Sequence, residues 1–280
     1  EREREREMGC FSALPEECIS NILSLTTPRD ACRLSLISWE FKVAAESDSV
    51  WERFLPSDYQ DIITRFVSPV VFTSKRDLYF RLCQAPVLLD GGTKSFILDK
   101  SSGKKCYMLG ARELSITWAD FPYVKNWTSQ PQSRFSDVAY LWNGLSLDIQ
   151  GKIESQMLSP NTTYTAYLVF TVAGQFYGLE HPPVKASVKL LEDGGGEGSG
   201  IESDYNTVYL QSQVSTDIPK QVGQLPRERG DGWMEIEMGQ FLINEGGGDE
   251  VVEMRLMEFE APTPKSGLVV EGIELRPKHG

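Results

Sequence analysis

The residue types that most often carry catalysis or bind metals are scarce in this chain of 280 residues. The two histidines are His181 and His279, and neither has the spacing to cysteines that is typical of a zinc site. Gly91 to Ser95, with the sequence GGTKS, has the composition of a phosphate-binding loop but lacks the Gly-x-x-x-x-Gly-Lys-Ser/Thr frame. A turn that leads into a strand is expected there. We therefore predict no catalytic residue, no metal site, no cofactor and a non-catalytic role.

The overall charge and the lengths of the apolar runs exclude two further classes of function, nucleic-acid binding and membrane insertion. The formal net charge is −12 and the isoelectric point is about 4.8, whereas contacts to phosphate groups need clustered lysine and arginine. No apolar run approaches the roughly 18 residues that a membrane helix needs. Hydrophobic residues still make up 40% of the chain, which can supply a sizeable core. We expect a folded protein that binds neither nucleic acid nor membrane.

The cysteines indicate a reducing compartment. A secreted β-rich region as long as the one after Cys106 would often be stapled by disulfides, and this one has no cysteine. The sequons at Asn126 and Asn161 are accordingly interpreted as coincidental. Free intracellular thiols are the prediction for all five cysteines, which are Cys10, Cys18, Cys32, Cys83 and Cys106.

The N-terminal residues 1–8 are predicted to be a disordered leader. Glu1 to Glu7 alternate Glu and Arg without a break, and such a segment has nothing to bury. A GA dinucleotide repeat read in frame encodes this alternation, so our hypothesis is that Met8 is the natural start. The sequence Met-Gly-Cys at 8–10 hints at lipidation, but Ala13 stands where the myristoylation pattern has Ser or Thr.

Residues 11–55 have the apolar spacing of helices. Pro15 marks a helix start, and Glu16 and Glu17 place carboxylates in its first turn. Breaks near 27–30 and 47–49 divide the apolar residues into three groups, which predict three short helices. Helices this short enclose little core of their own, so their surplus apolar side chains predict a partner surface.

From about residue 104 the apolar period changes to two, which is typical of strands. Charges alternate with apolar residues in several runs, for example at Glu271 and Glu274, and this favours antiparallel strands with one face in water. About eight such runs without helices between them predict a β-sandwich that resembles a jelly roll. The predicted fold is therefore α+β and multidomain, with runs at 114–118, 147–153, 163–172, 184–190, 207–210, 233–238, 251–259 and 268–275.

The helical region resembles an F-box. The resemblance covers Leu14 to Ser24, Pro28 to Asp30, Leu34 to Phe41 and Ala44 to Trp51. It implies a docking surface for a Skp-type adaptor of a cullin ubiquitin ligase, and packing inside the helical region is the alternative for the same side chains. The residues implied in adaptor binding are Leu14, Pro15, Ile19, Ile22, Leu23, Pro28, Leu34, Val50 and Trp51.

The β-rich region resembles the phloem protein 2-like, Nictaba-type lectins of plants over residues 92–277. The matching stretches include Ala111 to Trp118, Arg134 to Ser136, Leu158 to Tyr164 and Asp231 to Ile236. The resemblance implies binding of glycans that contain N-acetylglucosamine, because the apolar face of a pyranose ring can cover an indole ring.

The family's sugar-stacking residues lie in a stretch that here runs from Trp118 to Trp127. Trp118 matches one stacking tryptophan, Lys125 replaces the second, and Trp127 remains two residues later. Trp118 also shares a strand face with Leu114 and Ile116, so core packing is an alternative for it. A carboxylate of the loop at 249–250, Glu250 in our prediction, can accept hydrogen bonds from sugar hydroxyls.

Together the two resemblances predict the substrate-recognition subunit of an SCF-type cullin ubiquitin ligase that binds glycoproteins in the nucleus and cytoplasm. The alternative is a free-standing intracellular lectin with a vestigial F-box, and a glycosidase ranks third. The predicted parts are the leader at 1–8, an F-box at 9–58, a helical connector at 59–91 and a lectin domain at 92–280.

Overall fold

A computed structural model describes residues 14–118, 126–180, 183–191, 205–211, 223–245, 250–258 and 263–278. The predictions for the leader, for Met8 as the start, for Lys125 and for Asp249 lie outside these residues. The chain divides into two compact units. We refer to Glu1–Val87 with Ile97–Lys105 as the helical unit, and to Leu88–Phe96 with Cys106–Gly280 as the β unit.

Serine and threonine side chains begin three of the helices. Thr27 Oγ1 accepts a hydrogen bond from Asp30 N at 3.1 Å, and Ser74 Oγ accepts one from Asp77 N at 3.1 Å. Ser38 caps the third helix in the same way. The helices are α1 Glu16–Ser24, α2 Pro28–Leu34, α3 Trp39–Glu46, α4 Asp48–Phe54, α5 Tyr59–Thr64 and α6 Lys75–Gln84.

Within the described residues 14–55 there are four helices, where the sequence predicted three. The third apolar group divides at Ser47, which has extended backbone angles and ends α3 as it begins α4. Val50 and Trp51 therefore lie on a helix of their own, and both are fully buried. Trp51 Nε1 donates a 2.6 Å hydrogen bond to the carbonyl of Ala45, which fixes α4 against the end of α3.

The β unit is built from two sheets, and every strand pair with an assigned register is antiparallel. One sheet has the order β1-β2-β3-β14-β8-β12-β11, with β6 paired to both β14 and β5; the other has the order β10-β9-β13-β7-β4. The strands are β1 Val87–Leu89, β2 Lys94–Leu98, β3 Lys105–Gly110, β4 Ser115–Ile116, β5 Trp127–Thr128, β6 Val138–Tyr140, β7 Asp148–Glu154, β8 Thr162–Tyr177, β9 Val184–Leu191, β10 Asn206–Val208, β11 Arg227–Glu228, β12 Met234–Ile243, β13 Val251–Met257 and β14 Ser266–Pro277.

The two sheets contact each other through closely packed apolar side chains. Gly151 in β7 is closely packed, because a Cβ atom there would lie 3.1 Å from Ile273 Cδ1 and 3.4 Å from Leu109 Cδ1 and would push these side chains by a few tenths of an ångström. Ile273 and Leu109 are register partners in the first sheet. The core of the β unit therefore includes the space between these two strands and β7.

The opposite face of the first sheet carries buried charges. Glu271 is 1% exposed and Glu274 is 5% exposed, so the prediction that these two carboxylates line a face in water is wrong. A segment that contains Ser133 and Arg134 covers them, since Glu271 Oε1 accepts hydrogen bonds from Ser133 Oγ and Arg134 N. Glu274 is held by two guanidinium groups, with 3.2 Å to Arg134 Nη1 and 2.6 Å to Arg229 Nη1.

These two carboxyl groups are expected to give opposite pH dependences of stability. Burial raises the pKa of Glu271 above its ordinary value, against the hydrogen bond from Arg134 N and the nearby Arg134 charge. Burial would also raise the pKa of Glu274, but the charges of Arg134 and Arg229 outweigh it and lower that pKa. Glu271 therefore contributes stability that is lost as pH rises through its folded pKa. Glu274 contributes stability that is lost as pH falls through its folded pKa.

Thermal melts of Glu271→Gln and Glu274→Gln from acidic to neutral pH test whether the two pH dependences of stability have opposite directions. Relative to the unsubstituted protein, Glu271→Gln should gain stability as pH rises above the ordinary carboxyl value of 4.5. Glu274→Gln should be destabilised at pH 7, and the difference should shrink as pH falls below 4.5. Parallel profiles for the two variants would contradict the assignment.

Candidate functional site

Helix α1 has apolar side chains on two faces. Ile19 and Leu23 are fully buried, as expected of the face that packs against α3 and α4. Cys18, Ile22 and Leu25 follow each other at intervals of four and three residues, which places them on one other face of the helix. All three are exposed. We call Cys18, Ile22 and Leu25 the α1 stripe; Leu14, also exposed, lies just before the helix.

The residues predicted to bind the adaptor fall into two groups. Three of them are at the surface of the helical unit, namely Leu14, Pro15 and Ile22. Leu34 is half-buried. The other five are buried and can support a docking surface from beneath it; they are Ile19, Leu23, Pro28, Val50 and Trp51.

Exposed apolar side chains also occur between α2 and α3 and at the first residue of α3, and the prediction did not include them as docking residues. Leu36 is 86% exposed, Ile37 is 66% exposed and Trp39 is 72% exposed. The available signal was their close spacing, because side chains at 36, 37 and 39 point in several directions and one short interface inside the unit cannot bury them all. They extend the apolar surface of the helical unit beyond α1.

Trp118 lies in the interior of the β unit. It is 3% exposed, which is the placement that core packing requires, and no ring face is open to a sugar. Its carbonyl oxygen accepts a 2.6 Å hydrogen bond from Asn126 Nδ2. Its indole Nε1 is buried and has no hydrogen-bond partner among the residues that the structure describes. Asn126 is 2% exposed, and its amide nitrogen is the atom that a glycan would need.

Trp127 follows Asn126 on β5 and is half-buried. The guanidinium of Arg112 lies over the indole, with Arg112 Cζ 3.7 Å from the ring centroid. Asp137 holds that guanidinium, since Asp137 Oδ2 is 3.2 Å from both Arg112 Nε and Arg112 Nη2. The structure thus brings Trp118 and Trp127 close together through Asn126, and a protein cation occupies one face of Trp127.

Glu250 is not part of this neighbourhood. Thr117 N donates to the carbonyl of Asp148 at the start of β7, whereas Ser155 N, just past the end of β7, donates to the carbonyl of Glu250. Trp118 and Glu250 therefore lie at opposite ends of this strand, about 20 Å apart by the rise of a β-strand. One monosaccharide cannot reach both.

The GGTKS segment forms the turn that the sequence predicted. Asp90–Gly92 is a 3-10 turn, and β2 begins at Lys94. Lys94 Nζ is 3.1 Å from Asp90 Oδ2 and 2.9 Å from Glu113 Oε2, so the lysine already has carboxylate partners. Burial would lower the pKa of Lys94, but these two carboxylates outweigh it and raise that pKa. A phosphate would have to displace both of them.

Two family models match the chain, and their bounds follow the helical and β-rich regions. Residues 11–57 match the F-box-like model, and residues 104–277 match the phloem protein 2 model. The F-box protein At2g02240 of Arabidopsis thaliana is 42% identical over 274 residues, covering 95% of this chain and 80% of its own length. The chain belongs to the F-box proteins that carry a phloem protein 2 domain.

A further relative and a solved structure are similar to this chain to different degrees. The putative F-box protein PP2-B2 of Arabidopsis thaliana is also 42% identical, covering 95% of this chain and 83% of its own. A family 35 carbohydrate-binding module from Clostridium thermocellum covers 61% of this chain and 96% of its own, at 10% identity and a TM-score of 0.28.

The described residues contain neither a metal-binding cluster nor a membrane-spanning helix. No cluster of three or more His, Cys, Asp or Glu side chains in that part of the chain is arranged to hold a metal ion. None of its helices is both long enough and apolar enough to cross a membrane.

Proposed function

We propose that this protein is the substrate-recognition subunit of an SCF-type cullin ubiquitin ligase, acting in the nucleus and cytoplasm. The observation that carries the proposal is the α1 stripe. Burying an exposed apolar side chain is worth roughly 1.5–3 kcal/mol, so a helix that is apolar on two faces favours a second packing partner. The F-box match covers this helix, and a Skp-type adaptor is the partner that an F-box implies.

The β unit is proposed to hold the target glycoprotein through glycans that contain N-acetylglucosamine. Two features support this: the phloem protein 2 match over residues 104–277, and the partly accessible indole of Trp127. Sugar stacking on one indole is weak, so a micromolar to millimolar dissociation constant per monovalent sugar is expected. Ligase action then needs no catalytic residue in this chain, because the bound target is held near the ubiquitin-charged enzyme.

Two binding measurements on the full chain test the proposal. Titration calorimetry with a purified Skp-type adaptor should give a one-to-one complex, and a glycan array should show retention on chitin oligomers. Glycan binding without adaptor binding would favour the free-standing lectin. Adaptor binding without glycan binding would mean that the β unit recognises a protein surface.

Arg112→Ala is expected to strengthen binding to N-acetylglucosamine oligomers by about threefold to tenfold, which is the gain in affinity that one aromatic contact provides. The reason is that the substitution removes the guanidinium from the face of Trp127 and leaves the ring free to stack. The measurement is titration calorimetry with chitotriose, with tryptophan fluorescence to report the change at the indole.

Arg81→Ala is the matched control. Arg81 makes a comparable pair with Asp77, at 2.8 Å, on an exposed part of α6, which belongs to the helical unit. It should leave sugar affinity unchanged. Weaker binding in Arg112→Ala would show that Arg112 contacts the sugar itself and does not compete with it.

A further inference from the structure

The β unit has a small polar cavity that the predicted sugar site does not use. Its volume is about 230 Å³, which is below the roughly 300–1,000 Å³ that is typical of pockets for drug-sized ligands. It therefore admits one small molecule or one unit of a longer chain. We call this cavity the β12 pocket, and its lining residues are Tyr167, Gln224, Leu225, Arg227, Glu235 and Glu237.

The register of the first sheet brings this lining together. Tyr167 on β8 is the register partner of Glu237 on one side and of Glu274 on the other. Arg227 on β11 is the register partner of Glu235 on β12. Directly opposite residues of antiparallel strands share one face of the sheet. The β12 pocket therefore lies on the face of the first sheet that carries Glu274.

Arg276 fixes two of the lining side chains. Its Cζ atom is 3.9 Å from the ring centroid of Tyr167, and its Nη2 atom is 2.8 Å from Glu235 Oε2. Arg229 Nη1 is 3.0 Å from the same carboxylate oxygen. In the described part of the chain both cations thus reach Glu235 through Oε2, which leaves Oε1 available to accept a hydrogen bond from a ligand.

The charges around the β12 pocket balance. The guanidinium groups in or beside it are those of Arg227, Arg229 and Arg276, and the carboxylates are those of Glu235, Glu237 and Glu274. Neither a free anion nor a free cation gains a net attraction from this arrangement. Carboxylates accept hydrogen bonds, whereas the guanidinium of Arg227 and the amide of Gln224 donate them. The lining therefore fits a neutral molecule with several hydroxyl groups.

We propose that the β12 pocket binds one neutral pyranose unit of a glycan that contains N-acetylglucosamine. Its polar groups meet the sugar hydroxyls, and Tyr167 and Leu225 meet the apolar C–H face of the ring. The inference rests on the proposed function of the β unit in glycan binding, and it adds a second sugar site to the one at Trp127.

One sugar unit cannot reach both sites. β5 carries Trp127, and β6, β14, β8 and β12 follow it across the first sheet. Four strand spacings separate β5 from β12, which is about 19 Å. A surface dense in glycans can occupy both sites at once, and two linked weak contacts hold roughly a hundredfold or more tighter than one. The second site thus compensates for the weak affinity of a single sugar.

The test measures retention of the full chain on a surface coated densely with chitotriose. Arg227→Ala with Glu237→Ala removes one cation and one carboxylate from the β12 pocket, so retention should fall at least tenfold as two contacts become one. Arg227 is exposed and Glu237 is half-buried, so this variant should melt like the unsubstituted protein. Lys152→Ala with Glu228→Ala is the matched control, because both side chains are exposed outside the pocket, and retention should stay within twofold.

Soluble chitotriose separates the two sites. Trp127→Ala should keep part of the chitotriose binding in titration calorimetry, because the β12 pocket remains. Addition of Arg227→Ala and Glu237→Ala to Trp127→Ala should remove that remainder. A complete loss of binding in Trp127→Ala alone would refute the second site.

The failure of this inference can be told apart from the failure of the proposed function. Equal retention of the unsubstituted chain and the pocket variant refutes the β12 pocket and leaves glycan binding in place. No retention of the unsubstituted chain on chitotriose refutes both. Tighter retention on a surface of oligogalacturonate that the pocket variant loses would make the ligand anionic and refute the neutral pyranose. An equal loss of retention in the control variant would also refute the pocket.

Discussion

Trp51→Ala should lose adaptor binding by unfolding the helical unit, and Leu14→Ala with Ile22→Ala should lose it with the unit still folded. Both sites were predicted from the same F-box resemblance. Trp51 is fully buried and contacts Phe54, Tyr79 and Phe80, with ring centroids 5.1 to 5.5 Å apart. Removing a buried tryptophan costs about 3–5 kcal/mol, which is much of the stability of a small unit.

The surface pair acts through the interface alone. Ile22 is 46% exposed and Leu14 is 36% exposed, so truncation leaves no large cavity in the unit. Loss of apolar anchors from an interface costs about 2 kcal/mol or more, a factor of about 30 in affinity. We therefore expect unchanged unfolding curves and an adaptor dissociation constant that rises at least 30-fold.

Guanidinium unfolding and adaptor titration on the same preparations separate the two effects. Leu242→Ala is a suitable control, because Leu242 is 50% exposed on β12 and lies outside the helical unit. It should change neither result. If the double variant still binds at full affinity, docking uses neither Leu14 nor Ile22. If Trp51→Ala unfolds at the same denaturant concentration as the unsubstituted protein, Trp51 is not the core residue that its burial indicates.

Strands that are buried on one face could be placed from the sequence. The run predicted at 147–153 is β7 Asp148–Glu154, and the run at 251–259 contains β13 Val251–Met257. Both alternate buried and half-buried or exposed residues, so the period of two was visible. In β3 Lys105–Gly110 all six residues are buried, so alternation was absent and the strand was missed. The jelly-roll-like sandwich stays a prediction at the level of its topology.

The positions of charged residues were the least reliable basis for predicting which strand face is exposed to water. Glu271 and Glu274 stand in β14 among apolar residues, and their spacing alone predicted a face in water. Their burial depends on segments more than 40 residues away in sequence, which supply the backbone N–H of Arg134 to Glu271 and the guanidinium of Arg229 to Glu274. Alternation reports which side chains share a face, but it does not report what covers that face.

The candidate sugar site was predicted only in part for a related reason. Trp118 and Trp127 were assigned to one site from the resemblance to the lectin family, and the hydrogen bond from Asn126 to the Trp118 carbonyl brings them close together. The separation of Glu250 depends on the register of β7 with β13, and the contact of Arg112 with Trp127 depends on a partner, Asp137, held 25 residues away. Neither can be inferred from one segment.

Trp118→Ala is expected to destabilise the β unit by about 3–5 kcal/mol, the cost of removing a buried tryptophan. Trp118 is 3% exposed, so in this structure it contributes packing and not a sugar platform. Any loss of binding to N-acetylglucosamine oligomers should therefore accompany a loss of folded β unit. Circular dichroism melts and chitotriose titration, run on one preparation, measure the two quantities together.

Trp118→Phe is the matched variant that distinguishes packing from recognition. It keeps an aromatic ring in the core and removes the buried indole N–H, which has no hydrogen-bond partner among the described residues. Removing an unsatisfied buried donor offsets part of the packing loss, so Trp118→Phe should melt close to the unsubstituted protein and far above Trp118→Ala. If Trp118→Ala instead melts normally and loses only sugar binding, the indole must leave the core when a glycan binds, and Trp118 would be the stacking residue that the family resemblance implies.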